Sequence, residues 1–187
     1  MRIVGGTYAR RQLIAPTGQA TRPTSDRVRE AIFNILHHHP WPVGAVLENA
    51  AVLDVCCGTG AMGLEAISRG ARAAWFMDMA APALQATQDN ITALHCATQA
   101  QILRCDATRP PQATQPCGLI FIDPPYRQNL PAQIVPALRA AGWVAPGALL
   151  VIETARDEIL VLPEAWQTAL HRDYGATAVH FVSAALE

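Results

Sequence analysis

The chain has 187 residues, 51% of them apolar, and a formal net charge of −1. That is one domain's length with ample material for a packed core, and the near-neutral balance excludes a protein that coats nucleic acid wholesale. The apolar runs are too short to cross a bilayer, and the five cysteines (Cys56, Cys57, Cys96, Cys105 and Cys117) lack the paired spacing of a zinc site or disulfide framework. No apolar stretch stands behind a basic flank at the N-terminus, so we expect a soluble, cytoplasmic chain with buried free thiols and no metal.

Residues 2 to 14 read as a short extended or hairpin segment around Gly5 and Gly6, leading into the connector APTGQATRPT. A helix is predicted from Ser25 or Asp26, because Val28, Ile32, Ile35 and Leu36 recur at helical spacing before His37, His38, His39 and Pro40. Three consecutive histidines point in different directions on a helix; a favourable contact with its C-terminus is a plainer account than a metal site. Every basic residue is arginine, and Arg2, Arg10, Arg11, Arg22, Arg27 and Arg29 face only Asp26 within the same stretch. Arginine's planar fork grips phosphate, so this region is the candidate nucleic-acid contact, weighed against an ordinary solvated surface.

From Ala51 strands alternate with helices. Strands are expected near 51–56, 72–78, 101–105, 118–123 and 148–153, helices near 61–69, 81–94 and 131–141, and two further strands near 167–173 and 177–184. Near-continuous apolar strands separated by helices imply an α/β fold with a parallel sheet covered on both faces. Such sheets bind ligands at the carboxyl ends of their strands. Asp54, Asp78, Asp106 and Asp123 stand at those ends.

In VLDVCCGTGAMGLEA the first of these strands runs into Gly58, Gly60 and Gly63, a turn that lets a ligand approach backbone at a helix N-terminus. The pattern alone fits a nicotinamide dinucleotide as well, with Asp78 on a ribose diol in either case. Asp54 separates the two: its carboxylate repels a pyrophosphate but suits S-adenosylmethionine, which carries positive sulfonium and ammonium groups. Asp78 would accept from the ribose hydroxyls and Asp106 from the adenine amino group, the neighbouring backbone completing the edge.

The run GLIFIDPPY ends on Asp123, Pro124, Pro125 and Tyr126. Asp123 and the Pro124 carbonyl offer two acceptors, matching the two hydrogens of an exocyclic amine on a nucleobase; the prolines add no competing N–H and stiffen the loop. Held in this way, the amine turns its lone pair out of conjugation toward a methyl donor. Tyr126 would stack on the base, worth about 1–3 kcal/mol in single-strand binders. Asp123 is also a candidate base, with little activation needed, because the methylated ammonium is far more acidic than the amine. A lone D-P-P-Y reads more plainly as a strand terminator, but acids at three other strand ends outweigh that reading.

VLDVCCGTGAMGLEA, FIDPPY and above all TRPTSDRVREAIFNIL resemble the RsmD family of bacterial 16S ribosomal RNA guanine-N2 methyltransferases, from RIVGG to about Glu153. The resemblance implies a Rossmann-like, seven-stranded S-adenosylmethionine-dependent methyltransferase fold over residues 41–187. It also implies a small N-terminal extension of hairpin plus helix over residues 1–40 that faces RNA. The acceptor it implies is one guanine of 16S ribosomal RNA within a small-subunit particle, modified by a monomer away from any membrane. By position, Asp54, Gly58, Gly60, Asp78, Met79, Asp106 and Ala107 would line the cofactor site. Asp123, Pro124, Pro125 and Tyr126 would form the catalytic motif, and Arg10, Arg11, Arg22, Arg27 and Arg29 would face RNA or the rim of the site.

Two departures stand out: Ala9-Arg10-Arg11-Gln12 replaces the more basic R-G-R-K type of stretch, and Cys57 replaces a small alanine, read as neutral packing. The amine motif cannot name the ring, so a DNA adenine-N6 or cytosine-N4 methyltransferase is the main alternative, although this length leaves little room for a target-recognition region. A non-catalytic RNA-binding module is the second.

Overall fold

Side-chain alternation along the strands accounts for the architecture. In the computed structural model, which describes residues 1–15, 25–41 and 46–184, strand β1 (Ala51–Val55) sends Val52 into one core cluster and Ala51, Leu53 and Val55 into another. Strand β2 (Ala73–Asp78) divides Ala74 and Phe76 from Trp75 and Met77 in the same way. Only a sheet covered on both faces hides strands so completely. With β3 (Ala100–Arg104), β4 (Cys117–Ile122), β5 (Val144–Ala155), β6 (Trp166–Tyr174) and β7 (Thr177–Ala184), the sheet has seven strands in the order β3-β2-β1-β4-β5-β7-β6. Strands β1 to β5 run parallel, and β7 is antiparallel to both β5 and β6.

Helices α1 (Asp26–His38), α2 (Ala61–Ser68) and α3 (Ala81–Leu94) cover the first face, and α4 (Pro131–Ala140) covers the second with Ile134, Val135 and Leu138. The start of α1 is set by Ser25, whose hydroxyl accepts the Val28 N–H at 3.3 Å, with Asp26 in the first turn opposite the positive end of the helix dipole. Its Ile32, Phe33 and Leu36 are buried in the same cluster as Phe121, and the Phe33 and Phe121 ring centroids lie 5.5 Å apart. Each such side chain contributes about 1.5–3 kcal/mol. Helix α1 therefore belongs to the wall behind the end of β4.

The sequence places most of these elements within a residue or two, and β5 is the main difference. Strand β5 begins at Val144 instead of 148, because the pairing with β4 shifts between Cys117 and Leu119 and takes in Ala145, Pro146 and Gly147, residues that read as a break. The N-terminal segment is a strap folded as a short hairpin, as its sequence suggests: Arg2 and Gln12 form an antiparallel bridge, the Ile3 N–H donates to the Arg11 carbonyl at 2.9 Å and the Leu13 N–H to the Met1 carbonyl at 3.0 Å. The tip of this segment, from Val4 to Tyr8, docks on α2. The Val4 and Gly5 N–H groups reach the Glu65 carboxylate at 2.7 and 2.8 Å, and the Tyr8 N–H reaches the Ser68 hydroxyl at 2.9 Å. Most of the connector, including Arg22, lies outside the described residues. Among those described, no helix is long and apolar enough to cross a membrane.

Candidate active site

Strand β1 starts the sheet: β2 and β3 extend from it on one side, and the chain returns to lay β4 on the other. That reversal creates the crevice where open α/β sheets take their ligands. Register puts Val55 level with Met77 and with Ile122, so Asp54, Asp78 and Asp123 arrive at one edge. The Asp123 N–H donates to the Val55 carbonyl at 3.3 Å, closing β4 against β1 below the motif.

The turn from β1 into α2 is left-handed at Gly58 (φ 56°) and Gly60 (φ 75°), where glycine avoids the strain of a side chain. A Cβ on Gly60 would sit 2.9 Å from Thr87 Cγ2, while one on Gly63 would collide with the Phe76 ring. The last glycine therefore serves helix–strand packing, and the first two shape the ligand-facing backbone. Cys56 is also left-handed (φ 58°). Burial and the surrounding acids push its thiol up to about 12, and burial raises Cys57 well above its usual range. Both shifts disfavour the reactive thiolate, in keeping with thiols that pack rather than react.

Asp54 is buried, and its Oδ2 accepts the Gly63 N–H at 2.8 Å. Burial pushes this carboxyl well above the ordinary range; the Gly63 bond opposes the shift, and the charges of Asp123 and Asp78 add to it. The expected role is thereby refined: Asp54 ties the turn to α2 and feels the other two acids of the crevice. A buried carboxyl with two further acids beside it suits a cationic ligand and resists a phosphate, so the site fits S-adenosylmethionine on its own chemistry. An acid whose folded-state pKa is raised adds stability below its unfolded value of about 3.9 and loses it as pH rises through the folded value. Asp54→Asn should therefore melt above the parent at about pH 8, with the difference shrinking toward about pH 4. Thermal denaturation across that range checks this, and a lower midpoint for the variant at the alkaline end contradicts it.

Asp78 accepts the Gly58 N–H on Oδ2 at 3.0 Å and the Ala80 N–H on Oδ1 at 2.9 Å. Two bonds leave lone pairs for a ribose diol. Met79 beside it is 67% exposed, whereas Ala107 is buried. Asp106 Oδ1 accepts both the N–H and the hydroxyl of Thr108 at 2.8 Å, and these bonds hold its carboxyl below the usual range.

At the target side Asp123 is half-buried, Pro124 buried and Pro125 exposed. The Tyr126 hydroxyl lies 3.2 Å from Thr177 Oγ1 at the start of β7, which pins the ring at its far end. Arg127 and Asn129 then leave the motif in left-handed conformations (φ 63° and 50°). The Arg127 N–H donates to Glu158 at 2.9 Å, and its guanidinium contacts both oxygens of Asp157 at 2.9 and 3.0 Å. Sequence reasoning missed this clamp, along with Thr177, because the partners lie some 30 to 51 residues away. It also missed Thr87 and Asn90, which accompany the glycine turn from α3; two polar residues one helical turn apart on its buried side were the available signal.

The candidate RNA-facing arginines divide. Arg10, Arg11 and Arg27 are exposed. Arg29 corrects the expectation: it is fully buried, bonded to the Arg2 carbonyl and to Asp26 at 2.9 Å, with Glu65 3.7 Å away. Two carboxylates and a carbonyl draw it inward, and it does not face RNA.

Strand order, crevice and acid placement together define a Rossmann-like methyltransferase. Residues 1–183 match the family described as "Conserved hypothetical protein 95". The chain is 34% identical over 183 residues to ribosomal RNA small subunit methyltransferase D of Escherichia coli (strain K12), covering 97% of this chain and 87% of that protein. To the enzyme of the same name from Haemophilus influenzae it is 31% identical over 170 residues, covering 89% and 84%. The solved structure of the putative methyltransferase yhhF from Escherichia coli superposes with a TM-score of 0.83 at 30% identity, covering 100% of this chain and 99% of that one. The chain belongs to this family, the RsmD family.

Proposed function

We propose that the chain transfers a methyl group from S-adenosylmethionine to the exocyclic N2 of a guanine in 16S ribosomal RNA. The observation that carries this reading is the placement of Asp123–Tyr126 at the end of β4, across the β1–β4 crevice from the coenzyme-side acids. The family relationship supports ribosomal RNA as the substrate.

Asp78 would accept hydrogen bonds from the ribose hydroxyls, and Asp106 with Ala107 would meet the adenine edge. Asp123 and the Pro124 carbonyl hold the two amine hydrogens, so the guanine nitrogen presents its lone pair instead of conjugating it. Tyr126, fixed through its hydroxyl at Thr177, covers the base after it leaves its stack. Bound S-adenosylmethionine supplies the electrophilic methyl group; the chain contributes alignment and local charge, and Asp123 accepts the proton released afterwards. We assign residues 1–40 to an RNA-facing extension, with Arg10, Arg11 and Arg27 on its exposed surface, and 41–187 to the catalytic domain. We take a monomer acting on a small-subunit particle in the cytoplasm as the setting.

The test is a labelled S-adenosylmethionine incubation with undermethylated small subunits, free 16S RNA and DNA, followed by mapping of the label. The expected result is label on N2 of one guanine. Label on DNA alone defeats the RNA reading, and none on any substrate despite coenzyme binding favours a binding module.

A further inference from the structure

Asn90, buried on α3, makes three hydrogen bonds with one side-chain amide. Its Oδ1 accepts the Ile14 N–H at 2.7 Å, and its Nδ2 donates to the Ile14 carbonyl at 3.0 Å and to the Thr59 carbonyl at 3.0 Å. The first two reproduce a strand-like pairing with the N-terminal strap; the third ends on the glycine turn between Gly58 and Gly60. Reversing the amide would set a donor against the Ile14 N–H and an acceptor against both carbonyls, so this orientation is enforced. Thr87, one helical turn earlier, donates to the Gly58 carbonyl at 2.9 Å. The Thr59 hydroxyl in turn lies 3.5 Å from Met1 Sδ in the strap. The Asn90 amide therefore bonds the strap and the turn at once, beside the longer Thr59–Met1 contact.

We infer that Asn90 is a positioning residue that couples coenzyme occupancy of the glycine turn to the seating of the N-terminal strap, and so of the extension that faces the RNA. The inference rests on the proposed methyl transfer. A ligand that fixes the turn fixes the Thr59 carbonyl, which orders the Asn90 amide and with it both of its bonds to Ile14. By linkage the relation is reciprocal: a seated strap favours coenzyme binding. A polar side chain that merely filled the core would stabilise the fold without relaying occupancy.

Amide hydrogen exchange of the full chain, with and without S-adenosylhomocysteine, tests this. In the parent protein the ligand should slow exchange at Gly58 and also at Ile14, the latter by about tenfold, the change expected if roughly one hydrogen bond's worth of free energy is transmitted. In Asn90→Ala the ligand should still slow Gly58 while Ile14 exchanges fast and takes no notice of it. Slowing at Gly58 without any change at Ile14 in the parent overturns the coupling alone, as does ligand-dependent slowing of Ile14 that persists in Asn90→Ala. If Gly58 does not respond in the parent, the coenzyme reading fails and this inference with it. Should Asn90→Ala not fold, the comparison within the parent decides.

Discussion

Asp123→Ala is expected to reduce methyl transfer by roughly 10²–10³-fold or more while changing coenzyme affinity little. In the proposed reaction the substitution deletes the carboxylate acceptor for one amine hydrogen, so the nucleophile would lose its orientation in the transition state and the proton its local acceptor. It leaves the backbone intact: the bond from the residue-123 N–H to the Val55 carbonyl survives, and so does the geometry of Pro124. Asp78 and the glycine turn are untouched, which is why the coenzyme should still bind. Single-turnover rates on small subunits and calorimetric titration with S-adenosylhomocysteine separate the two effects. A large loss of coenzyme affinity would place Asp123 on the coenzyme side instead.

Glu65→Gln should be the most damaging single change to stability away from the crevice. Both Glu65 and Arg29 are completely buried, 3.7 Å apart. The same carboxylate accepts the Val4 and Gly5 N–H groups and an Arg69 contact at 2.7 Å. A glutamine amide turns one of its two ends into a donor facing an existing donor, and it leaves the Arg29 charge with Asp26 as its remaining acidic partner. Breaking a buried pair in this way costs about 3–5 kcal/mol. For a chain of this size that lowers the melting midpoint by roughly 6–20 °C. Arg69, stacked 5.1 Å over Phe33, would loosen as well. Thermal denaturation checks the prediction, and a shift within a degree or two would mean that the strap is held by its apolar contacts alone.

What the sequence disclosed and what it hid follow one physical division. Strand and helix positions were legible because burial on both faces makes near-continuous apolar strands, as in Ala51 through Val55, and one-sided burial gives helices a period of 3.6, as in Ile32 to Leu36. The acids at the strand ends were legible because a parallel sheet aligns those ends whatever lies between. Long-range polar partnerships were not. Arg29 sits in a basic stretch that reads as surface, and only folding brings Glu65 against it. Tyr126 and Thr177, Arg127 and Glu158, Asn90 and Ile14 are pairs made by tertiary proximity, to which periodicity is blind. Strand β5 was read short because Pro146 and Gly147 resemble a break, yet the irregular pairing with β4 accommodates them.

The central claim is that a rim of carboxylates at the β1–β4 reversal receives a cationic methyl donor and presents it to an amine held by Asp123. A crystal structure of the chain soaked with S-adenosylmethionine tests it most directly. The account predicts ribose on Asp78, adenine beside Asp106 and Ala107, and the sulfonium methyl turned toward Asp123 and Tyr126. Coenzyme bound away from this crevice, or NADH occupying it in a parallel soak, would contradict the account.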